Sequence, residues 1–404
     1  MARTKINWAS DTWNPFRGCF KVSEGCKNCY AITTAHQLNT RFKNAGNEAA
    51  RKVAAKYEGL TKVLGNGEKN WTGEVQVDYD TMMQPFKWKK GKRIFVNSMS
   101  DVFYEKISVA DIAILFAVMF LTPQHTYMIL TKRPERMNEV LNSSEFVAKV
   151  CVAVDLIRTY RSIADGNPLT SAEFEAVKIT LNDYTTGNSL RIDKAPIETF
   201  PFPNIWLGVS VENQATADER IPLLLSTPAH IRFLSMEPLL GEVDLMQIPV
   251  GNYFLNTVKG TIYSAAKLSD IREPYESYYQ DKIDWVIVGG ESGSKARPMN
   301  PLWVQKIQEE CEKASVPFFF KQWGEWSPNL LADNMKKLVD WPELAKRPNT
   351  QLRNCFLGSS NKIVVPDVKV HFNELLYRMY KIGKHKAGRL LNGKEYNEFP
   401  KTDN

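Results

Sequence analysis

The sequence predicts an α/β protein built on an open or partial (β/α) barrel. Six short apolar runs, rich in β-branched and aromatic residues, alternate with helical patterns along the chain. Near-continuous apolar runs of this kind are typical of parallel strands that are covered on both faces. Three of the five gaps between successive runs are 33, 26 and 33 positions, close to the roughly 30 residues of one βα repeat. A doubly wound sheet is the alternative, because spacing does not reveal strand order.

Seven strands are predicted in all. The first is short and lies near residues 6–8 (INW). The other six are the apolar runs themselves, at residues 93–99 (RIFVNSM), 126–131 (TYMILT), 204–211 (NIWLGVSV), 230–236 (HIRFLSM), 284–289 (DWVIVG) and 317–321 (PFFFK).

The two longer gaps, of 78 and 53 positions, predict insertions at about residues 143–200 and 246–282. The barrel would then cover residues 1–324, and residues 325–404 would form a C-terminal extension packed on it. Within that extension, Asn392-Gly393 is a strong hairpin signal, because both residue types tolerate the positive φ that a tight turn needs.

Helix boundaries are marked at three places in the sequence. Ser108, with Asp111 at the third following position, forms a capping box ahead of an apolar run. Pro134 and Pro301 stand where helices can begin, since proline is favoured in the first turn. In the helix after Pro301, Cys311 falls on the apolar face, so we predict that it is a core residue rather than a ligand.

The composition excludes several classes of protein. With 43% hydrophobic and 24% charged residues, the 404-residue chain is predicted to be globular rather than disordered, collagen-like or a coiled coil. Its start, MARTKINWASDTW, has no stretch like a signal peptide, and its longest apolar run, residues 112–121, is too short to span a bilayer. We therefore expect a cytoplasmic protein with no membrane partner. The net charge of +7 permits binding to nucleic acid.

Three of the six cysteines lie close together, in GCFKVSEGCKNCY at residues 18–30. In a reducing compartment such a cluster favours metal binding or catalysis over disulfides. Cys19, Cys26 and Cys29 can hold three irons of a [4Fe-4S] cluster and leave the fourth iron open. Alternatively, His36 completes a Cys3His zinc site, which would be closed and structural. Spacing alone leaves both interpretations open.

Polar side chains follow most of the predicted strands at the point where each strand ends. In parallel α/β folds the loops at these ends converge on the active site. A pocket of this kind could hold a ligand with a carboxylate, an amine and ribose hydroxyls. The candidate binding residues at these ends are Ser98, Lys132, Arg133, Ser210, Glu212, Asn213, Glu237, Gly289, Gly290, Glu291 and Lys321.

Several motifs together resemble a known family, and they run in order through nearly the whole chain apart from the two insertions. The chain resembles the phage- and prophage-associated three-cysteine proteins, which are similar in outline to radical S-adenosylmethionine (AdoMet) enzymes. The motifs that carry the resemblance are WNPFRGCFKVSEGCKNCYA, VNSMSDVFYE, ILTKRPERM, WLGVSVENQ, RFLSMEPLLG, VIVGGESG, FFFKQWGEW and AGRLLNGKEYNEFP.

The resemblance implies a partial (β/α)6 barrel of the TIM-like, radical-AdoMet type, whose first loop binds a [4Fe-4S] cluster. Cys19, Cys26 and Cys29 would be the ligands, and the open iron would take the amino and carboxylate groups of AdoMet. Reductive cleavage would then give a 5′-deoxyadenosyl radical. Lys132 or Arg133 would bind the AdoMet carboxylate, and the other strand-end residues named above are further candidates for contacts with AdoMet. A one-electron donor such as a flavodoxin or ferredoxin is an expected partner.

Two features depart from the wider superfamily. Its common spacing is C-x3-C-x2-C with an aromatic residue before the third cysteine, whereas here six residues separate Cys19 from Cys26 and Tyr30 follows Cys29. Its Gly-Gly-Glu motif closes the second strand, whereas GGES here lies near the sixth.

The expected substrate is a nucleic acid or nucleotide, on the basis of the net charge and of basic residues in the extension. These are Lys381, Lys384, His385, Lys386 and Arg389.

Overall fold

The computed structural model describes residues 4, 6–163, 169–183, 200–264, 277–278, 281–328, 354–357, 363–364 and 377–401. Its strands are β1 (Asp11–Trp13), β2 (Phe16–Arg17), β3 (Thr61–Val63), β4 (Lys69–Trp71), β5 (Gln76–Val77), β6 (Arg93–Val96), β7 (Thr126–Thr131), β8 (Ile205–Ser210), β9 (Ile231–Met236), β10 (Ile248–Val250), β11 (Tyr253–Asn256), β12 (Thr261–Ser264), β13 (Ser277–Tyr278), β14 (Trp285–Gly289), β15 (Phe318–Gln322), β16 (Trp326–Pro328), β17 (Asn354–Leu357), β18 (Ile363–Val364) and β19 (Tyr377–Lys381).

The helices in the same ranges include two short 3-10 turns, Glu24–Cys26 and Gln84–Lys87. The α-helices are α1 (Tyr30–Phe42), α2 (Glu48–Ala55), α3 (Tyr79–Met82), α4 (Val109–Phe120), α5 (Pro134–Leu141), α6 (Ser144–Ile163), α7 (Ser171–Asp183), α8 (Gln214–Leu225), α9 (Pro301–Lys313) and α10 (Lys384–Ala387). Among the helices that the structure describes, none is long and apolar enough to cross a membrane.

The central sheet is a curled parallel half-barrel of seven strands in the order β1-β6-β7-β8-β9-β14-β15. Asp11 pairs with Ile94 and Thr126 with Arg93, so β1, β6 and β7 run in the same direction. Each strand of the sheet lies beside the sheet strand that precedes it in the chain. The order of a doubly wound sheet reverses at a switch point, so the structure excludes that alternative and confirms the open barrel-like sheet.

Six of the seven predicted strands are confirmed with boundaries shifted by three residues or fewer, and the first was placed wrongly. Asp11–Trp13 forms β1, not residues 6–8. Trp8 is 1% exposed and its ring centre lies 4.7 Å from that of Phe95, so its apolar character reflects side-chain packing rather than strand pairing. The true strand carries polar Asp11 and Thr12, so it lacks the continuous apolar run from which the other strands were predicted.

The predicted helix boundaries are confirmed. The Asp111 N–H donates to Ser108 Oγ at 3.1 Å at the start of α4, and Pro134 and Pro301 open α5 and α9. Cys311 is fully buried in α9, as expected of a core residue.

The hairpin predicted in the extension is also present. Asn392 and Gly393 have φ of 51° and 78°, and Leu391 bridges to Lys394 across the turn.

The segments predicted as insertions have structure of their own. Residues 144–183 contribute α6 and α7, and Phe146 of α6 packs edge-on against Phe116, so α4 is buried along most of its length. Residues 248–278 contribute a four-stranded antiparallel sheet in the order β10-β11-β12-β13. The remaining parts of these two insertions, residues 164–168, 184–199, 265–276 and 279–280, lie outside the described residues.

The chain divides into two compact units. The first comprises residues 1–210 and 220–233, and the second comprises residues 211–219 and 234–404. The second unit includes a four-stranded antiparallel sheet from the predicted extension, in the order β16-β19-β17-β18. Residues 329–353, 358–362, 365–376 and 402–404 of that extension lie outside the described residues.

Candidate functional site

The cysteine loop, residues 18–30, begins in the first unit just after β2. Its first residue is fixed by the segment after β6, because the Gly18 N–H donates to the Met99 carbonyl at 3.2 Å and Ser100 Oγ donates to the Gly18 carbonyl at 2.6 Å. Gly18 has a φ of 93°, and a Cβ there would lie 2.1 Å from the Glu74 carbonyl oxygen. Only glycine fits this position, so the local geometry requires it.

The three cysteines of this loop lie on short, defined elements. Cys26 closes the 3-10 turn Glu24–Cys26, and Cys29 immediately precedes α1. The Cys29 N–H donates to the Cys26 carbonyl at 3.3 Å, which links the two elements. Cys29 therefore lies at a helix N-terminus, where the N–H groups of Ala31 and Ile32 favour a thiolate.

The three thiols are free, half-buried and close enough to interact electrostatically. Cys19 and Cys29 pack against an apolar cluster made of Ala31, Ile32, Ala35, Tyr57, Leu60, Trp71 and Met99. Burial, and after it the charge of Asp101, raises the pKa of the Cys19 thiol to about 12, and a charged Cys29 would add to this shift. Burial likewise raises the pKa of Cys29, and the charge of Cys26 acts in the same direction. Without a bound metal Cys19 and Cys29 hold their protons, and a metal would replace those protons.

Arg133, at the end of β7, holds the cysteine loop in place. Its Nη2 donates to the Phe20 carbonyl at 3.1 Å, and its Nη1 lies 3.9 Å from Cys19 Sγ. The same guanidinium binds Asp101 at 3.1 Å and Glu105 at 3.0 Å. Arg133 is 5% exposed, so the structure places this predicted carboxylate-binding residue as a support of the loop.

Two other predicted residues also adjoin the cysteine loop. The positive charge of Lys132 acts on Cys29 and lowers its pKa, against the larger effect of burial. Ser98 donates its hydroxyl to Asn14 Oδ1 at 3.1 Å, and its carbonyl accepts a hydrogen bond from Tyr30 at 3.0 Å. Lys132 thus lies close enough to Cys29 for its charge to act on that thiol, while Ser98 connects the segment after β1 to the start of α1.

His36 lies apart from the cysteines. It lies seven positions after Cys29 along α1, a rise of about 10 Å, and its Nδ1 is hydrogen-bonded to Thr61 Oγ1 at 3.2 Å. This position disfavours the Cys3His zinc site. Across the described ranges, no three His, Cys, Asp or Glu side chains have the arrangement that a single metal ion needs.

In the second unit, Glu237 and Lys321 form an ion pair across the end of β14. Lys321 Nζ lies 2.7 Å from Glu237 Oε1, and the two side chains are 16% and 13% exposed. Ser235 Oγ donates to Glu237 Oε2 at 3.2 Å. A Cβ on Gly289 would lie 2.7 Å from Glu237 Oε1, so the glycine leaves room for the carboxylate to pass over the strand. Three of the predicted residues are thereby brought together.

In the glycine-glutamate loop, residues 289–297, the glutamate binds an arginine of the same loop. Glu291 Oε2 accepts the Arg297 N–H at 2.8 Å and its Nε–H at 2.9 Å, while Oε1 accepts from Nη2 at 2.8 Å. Gly290 lies so close to the Trp323 carbonyl that a Cβ would be 2.0 Å from the oxygen. The motif therefore closes a loop on itself and permits close approach of the neighbouring backbone.

The remaining predicted residues lie around the end of β8. In the first unit, the Ser210 carbonyl accepts a hydrogen bond from Arg220 at 2.8 Å. In the second unit, Asn213 caps α8, because its Oδ1 accepts the Thr216 N–H at 3.0 Å and its own N–H donates to Thr216 Oγ1 at 3.0 Å. Glu212 is 1% exposed. Capping accounts for Asn213 without a ligand.

Two side chains that organise these loops were not among the predicted site residues. Glu105 binds Arg133, and Arg297 binds Glu291. Glu105 lies shortly after the VNSMSD motif and after β6, so its place near a strand end could have marked it as a candidate site residue. Arg297 lies in an irregular loop without a periodic pattern, so nothing in the sequence indicated that it would bind Glu291.

These features define an α/β protein with a parallel half-barrel sheet and a loop of three cysteines at its first strand. The chain belongs to the family described as "Protein of unknown function (DUF5131)", whose model matches residues 3–400. A search of curated proteins and a search of solved structures found no match. The family match extends over both units.

Proposed function

We propose that the protein is a radical AdoMet enzyme in which Cys19, Cys26 and Cys29 bind a [4Fe-4S] cluster. The observation that carries the proposal is the cysteine loop itself. It presents three free, half-buried thiols at the carboxyl end of the first strand of a parallel half-barrel. Three thiolates leave one iron of such a cluster without a protein ligand, which is where a cofactor can bind.

The donor set is compatible with a cluster. Ligands of one tetrahedral zinc with bonds of about 2.3 Å stand about 3.8 Å apart. The thiolates of a cluster bind different irons and stand farther apart, so the lack of a tight ligand group in the described part of the chain is compatible with a cluster. Arg133 and Lys132 lie beside the thiols and would offset the negative charge of a thiolate-bound cluster.

The proposed cofactors would together supply radical chemistry. The cluster would supply one electron to the sulfonium of AdoMet, which would give methionine and a 5′-deoxyadenosyl radical. The residues of the chain position and shield the reacting groups. Gly18 sets the path of the loop, Arg133 holds the loop against β7, and the apolar cluster beneath Cys19 and Cys29 excludes water.

We assign the AdoMet carboxylate to Lys132, because its positive charge acts on the thiol of Cys29, one of the proposed cluster ligands. In the second unit, Glu237 and Lys321 bind each other and the Glu237 carboxylate fills the space above Gly289, so we assign this pair a positioning role. Asn213 and Glu291 become positioning residues in this account.

The proposed partners follow from this chemistry. A flavodoxin or ferredoxin would supply the electron, and a nucleic acid or nucleotide would be the substrate. The sheet order of consecutive strands supports a fold of the radical-AdoMet type, with β1 carrying the cluster loop.

Anaerobic reconstitution with iron and sulfide tests the metal assignment. We expect a brown protein with about four irons per chain and, after reduction, a paramagnetic resonance spectrum that changes when AdoMet is added. His36→Ala should retain the cluster, because His36 binds Thr61. A colourless protein that holds about one zinc ion, and loses it on His36→Ala, would overturn the assignment.

A further inference from the structure

A dense basic segment precedes β6 in the first unit. Residues 87–93 (KWKKGKR), termed the basic turn here, contain five cationic side chains among seven residues. No Asp or Glu occurs between Thr81 and Ser100. Runs of this density are a common feature of surfaces that bind polyanions.

The basic turn is held rigidly against the first unit. Trp88 is 5% exposed, and its carbonyl accepts a hydrogen bond from Gln124 at 3.4 Å. A Cβ on Gly91 would lie 2.7 Å from the Gln124 carbonyl oxygen, so the turn packs closely on its neighbour. The Lys92 carbonyl accepts the Thr126 N–H at 2.8 Å. Because the backbone is fixed, ordering it on binding costs little conformational entropy.

The fixed backbone presents a row of charges to solvent. Lys87, Lys89 and Lys90 are exposed and form no ion pair within the described part of the chain. Lys92 is different, because it binds Asp11 at 2.8 Å and lies 5.4 Å from the centre of the Trp88 ring.

A neighbouring helix places one further positive charge next to the basic turn. Arg161 of α6 lies 3.9 Å from the centre of the Phe86 ring, next to Lys87. Among the ion pairs that the structure describes, Lys92 of the basic turn binds Asp11. Five cationic side chains in seven residues leave this surface with a net positive charge.

The lack of exposed apolar side chains in the basic turn indicates the kind of partner. Trp88 is buried, and the large exposed hydrophobic side chains of the described residues all lie elsewhere in the chain. A surface that binds membranes usually adds apolar side chains that enter the bilayer interface. A surface with charge alone suits the phosphate backbone of nucleic acid, where lysines displace counterions.

The basic turn lies at the opposite end of β6 from the residues that contact the cysteine loop. It precedes Arg93, whereas Met99 and Ser100, which bind Gly18, follow Val96. We propose that the basic turn is a docking surface for the phosphate backbone of nucleic acid, independent of base sequence. It would tether the protein to the polymer and leave the cysteine loop uncovered, so it does not depend on the proposed radical chemistry.

The test compares two triple variants with equal loss of charge. Lys87→Gln, Lys89→Gln and Lys90→Gln are combined in one protein. The control combines Lys43→Gln, Lys52→Gln and Lys313→Gln, whose side chains are 62%, 73% and 69% exposed and form surface ion pairs elsewhere. Binding of labelled duplex DNA of random sequence is measured by fluorescence anisotropy over a range of salt concentrations, with thermal unfolding to verify folding.

We expect the wild type and the control to bind with affinity that falls linearly with salt on logarithmic axes. The basic-turn variant should bind about 100-fold more weakly near 0.15 M salt, with a slope about 3 units shallower, if all three lysines contact phosphates. No DNA binding by the wild type, or equal binding by the two variants, would overturn the proposal. Vesicles of phosphatidylcholine and phosphatidylserine form the other arm, and retention on vesicles without DNA binding would replace nucleic acid with a membrane surface.

Discussion

The cysteine loop comes after β1 and β2, and the glycine-glutamate loop comes after β14, yet the two loops use their polar groups in opposite ways. In the cysteine loop, three thiols lie near one another with only weak partners, such as Ser23 Oγ at 3.7 Å from Cys26 Sγ. In the glycine-glutamate loop, Glu291 makes three short bonds to Arg297. The difference teaches that a polar residue at a strand end becomes a candidate ligand only when the chain has not already satisfied it.

The largest effect should come from the cysteines. Replacement of Cys19, Cys26 or Cys29 by Ala should abolish iron incorporation, because two thiolates cannot hold the cluster. Iron and acid-labile sulfide are measured after anaerobic reconstitution. Cys151→Ala and Cys311→Ala serve as controls, since both residues are buried away from solvent as core side chains. Full iron content in any of the three loop variants would remove that residue from the ligand set.

The next largest effect should follow from Gly18→Ala. A Cβ there would meet the Glu74 carbonyl oxygen at 2.1 Å, in a backbone conformation with φ of 93° that alanine disfavours. We expect a loss of about 2–4 kcal/mol in the free energy of unfolding, together with poor cluster binding.

Gly46→Ala is the matched control for Gly18→Ala, because nothing lies within 4 Å of a Cβ at that position. Chemical denaturation and iron content report the two properties separately. If Gly18→Ala matched Gly46→Ala in both, the loop geometry would be irrelevant to the metal site.

A smaller effect should separate the glycine-glutamate loop from the cysteine loop. Glu291→Gln and Arg297→Gln should each lower the free energy of unfolding by about 2 kcal/mol, and the double variant by little more, since either change breaks the same pair. Iron content should be unchanged in all three proteins. If Glu291→Gln instead left stability intact and weakened AdoMet binding, Glu291 would be a ligand contact and the contrast between the loops would fail.

The smallest effect concerns the pH dependence of stability in the second unit. Burial raises the pKa of Glu310 to about 7, aided by the charge of Asp244 and opposed by the hydrogen bond from the Leu245 N–H at 3.0 Å. The unfolded chain loses this proton near pH 4.3. Between these values the folded state binds more protons than the unfolded state, so stability falls as pH rises from about 4.3 to 7.

Glu310→Gln keeps an acceptor for Leu245 and cannot ionise. It should be more stable than the wild type at pH 8 by about 1–2 kcal/mol and nearly equal at pH 4. Exposed Glu309→Gln, which replaces the next residue along α9, is the control and should follow the wild type. Parallel pH curves for Glu310→Gln and the wild type would show that Glu310 titrates normally.

The sequence predicted the sheet well because buried parallel strands are continuous apolar runs, as in TYMILT and NIWLGV. It failed at β1, where Asp11 and Thr12 interrupt the pattern while Trp8 supplies apolar character outside any strand. Strand order could not be predicted from the sequence either, because it depends on contacts between distant segments.

Residues that lie together in the candidate site could be grouped from the sequence only where they are close along the chain. The three cysteines fall within eleven residues, so a single loop brings them together. Glu291 looked like a ligand because its partner, Arg297, could not be inferred from a loop without periodicity. Likewise, the Glu237–Lys321 pair joins positions 84 residues apart, and only the sheet order brings them across Gly289.

The most direct test of the proposed function is cleavage of AdoMet. Protein with a verified four-iron cluster is incubated anaerobically with dithionite and AdoMet, and 5′-deoxyadenosine is quantified by chromatography. We predict that the wild type forms 5′-deoxyadenosine and that Cys29→Ala forms none. If the wild type binds AdoMet with its cluster intact and still yields no 5′-deoxyadenosine, the protein is not a radical AdoMet enzyme.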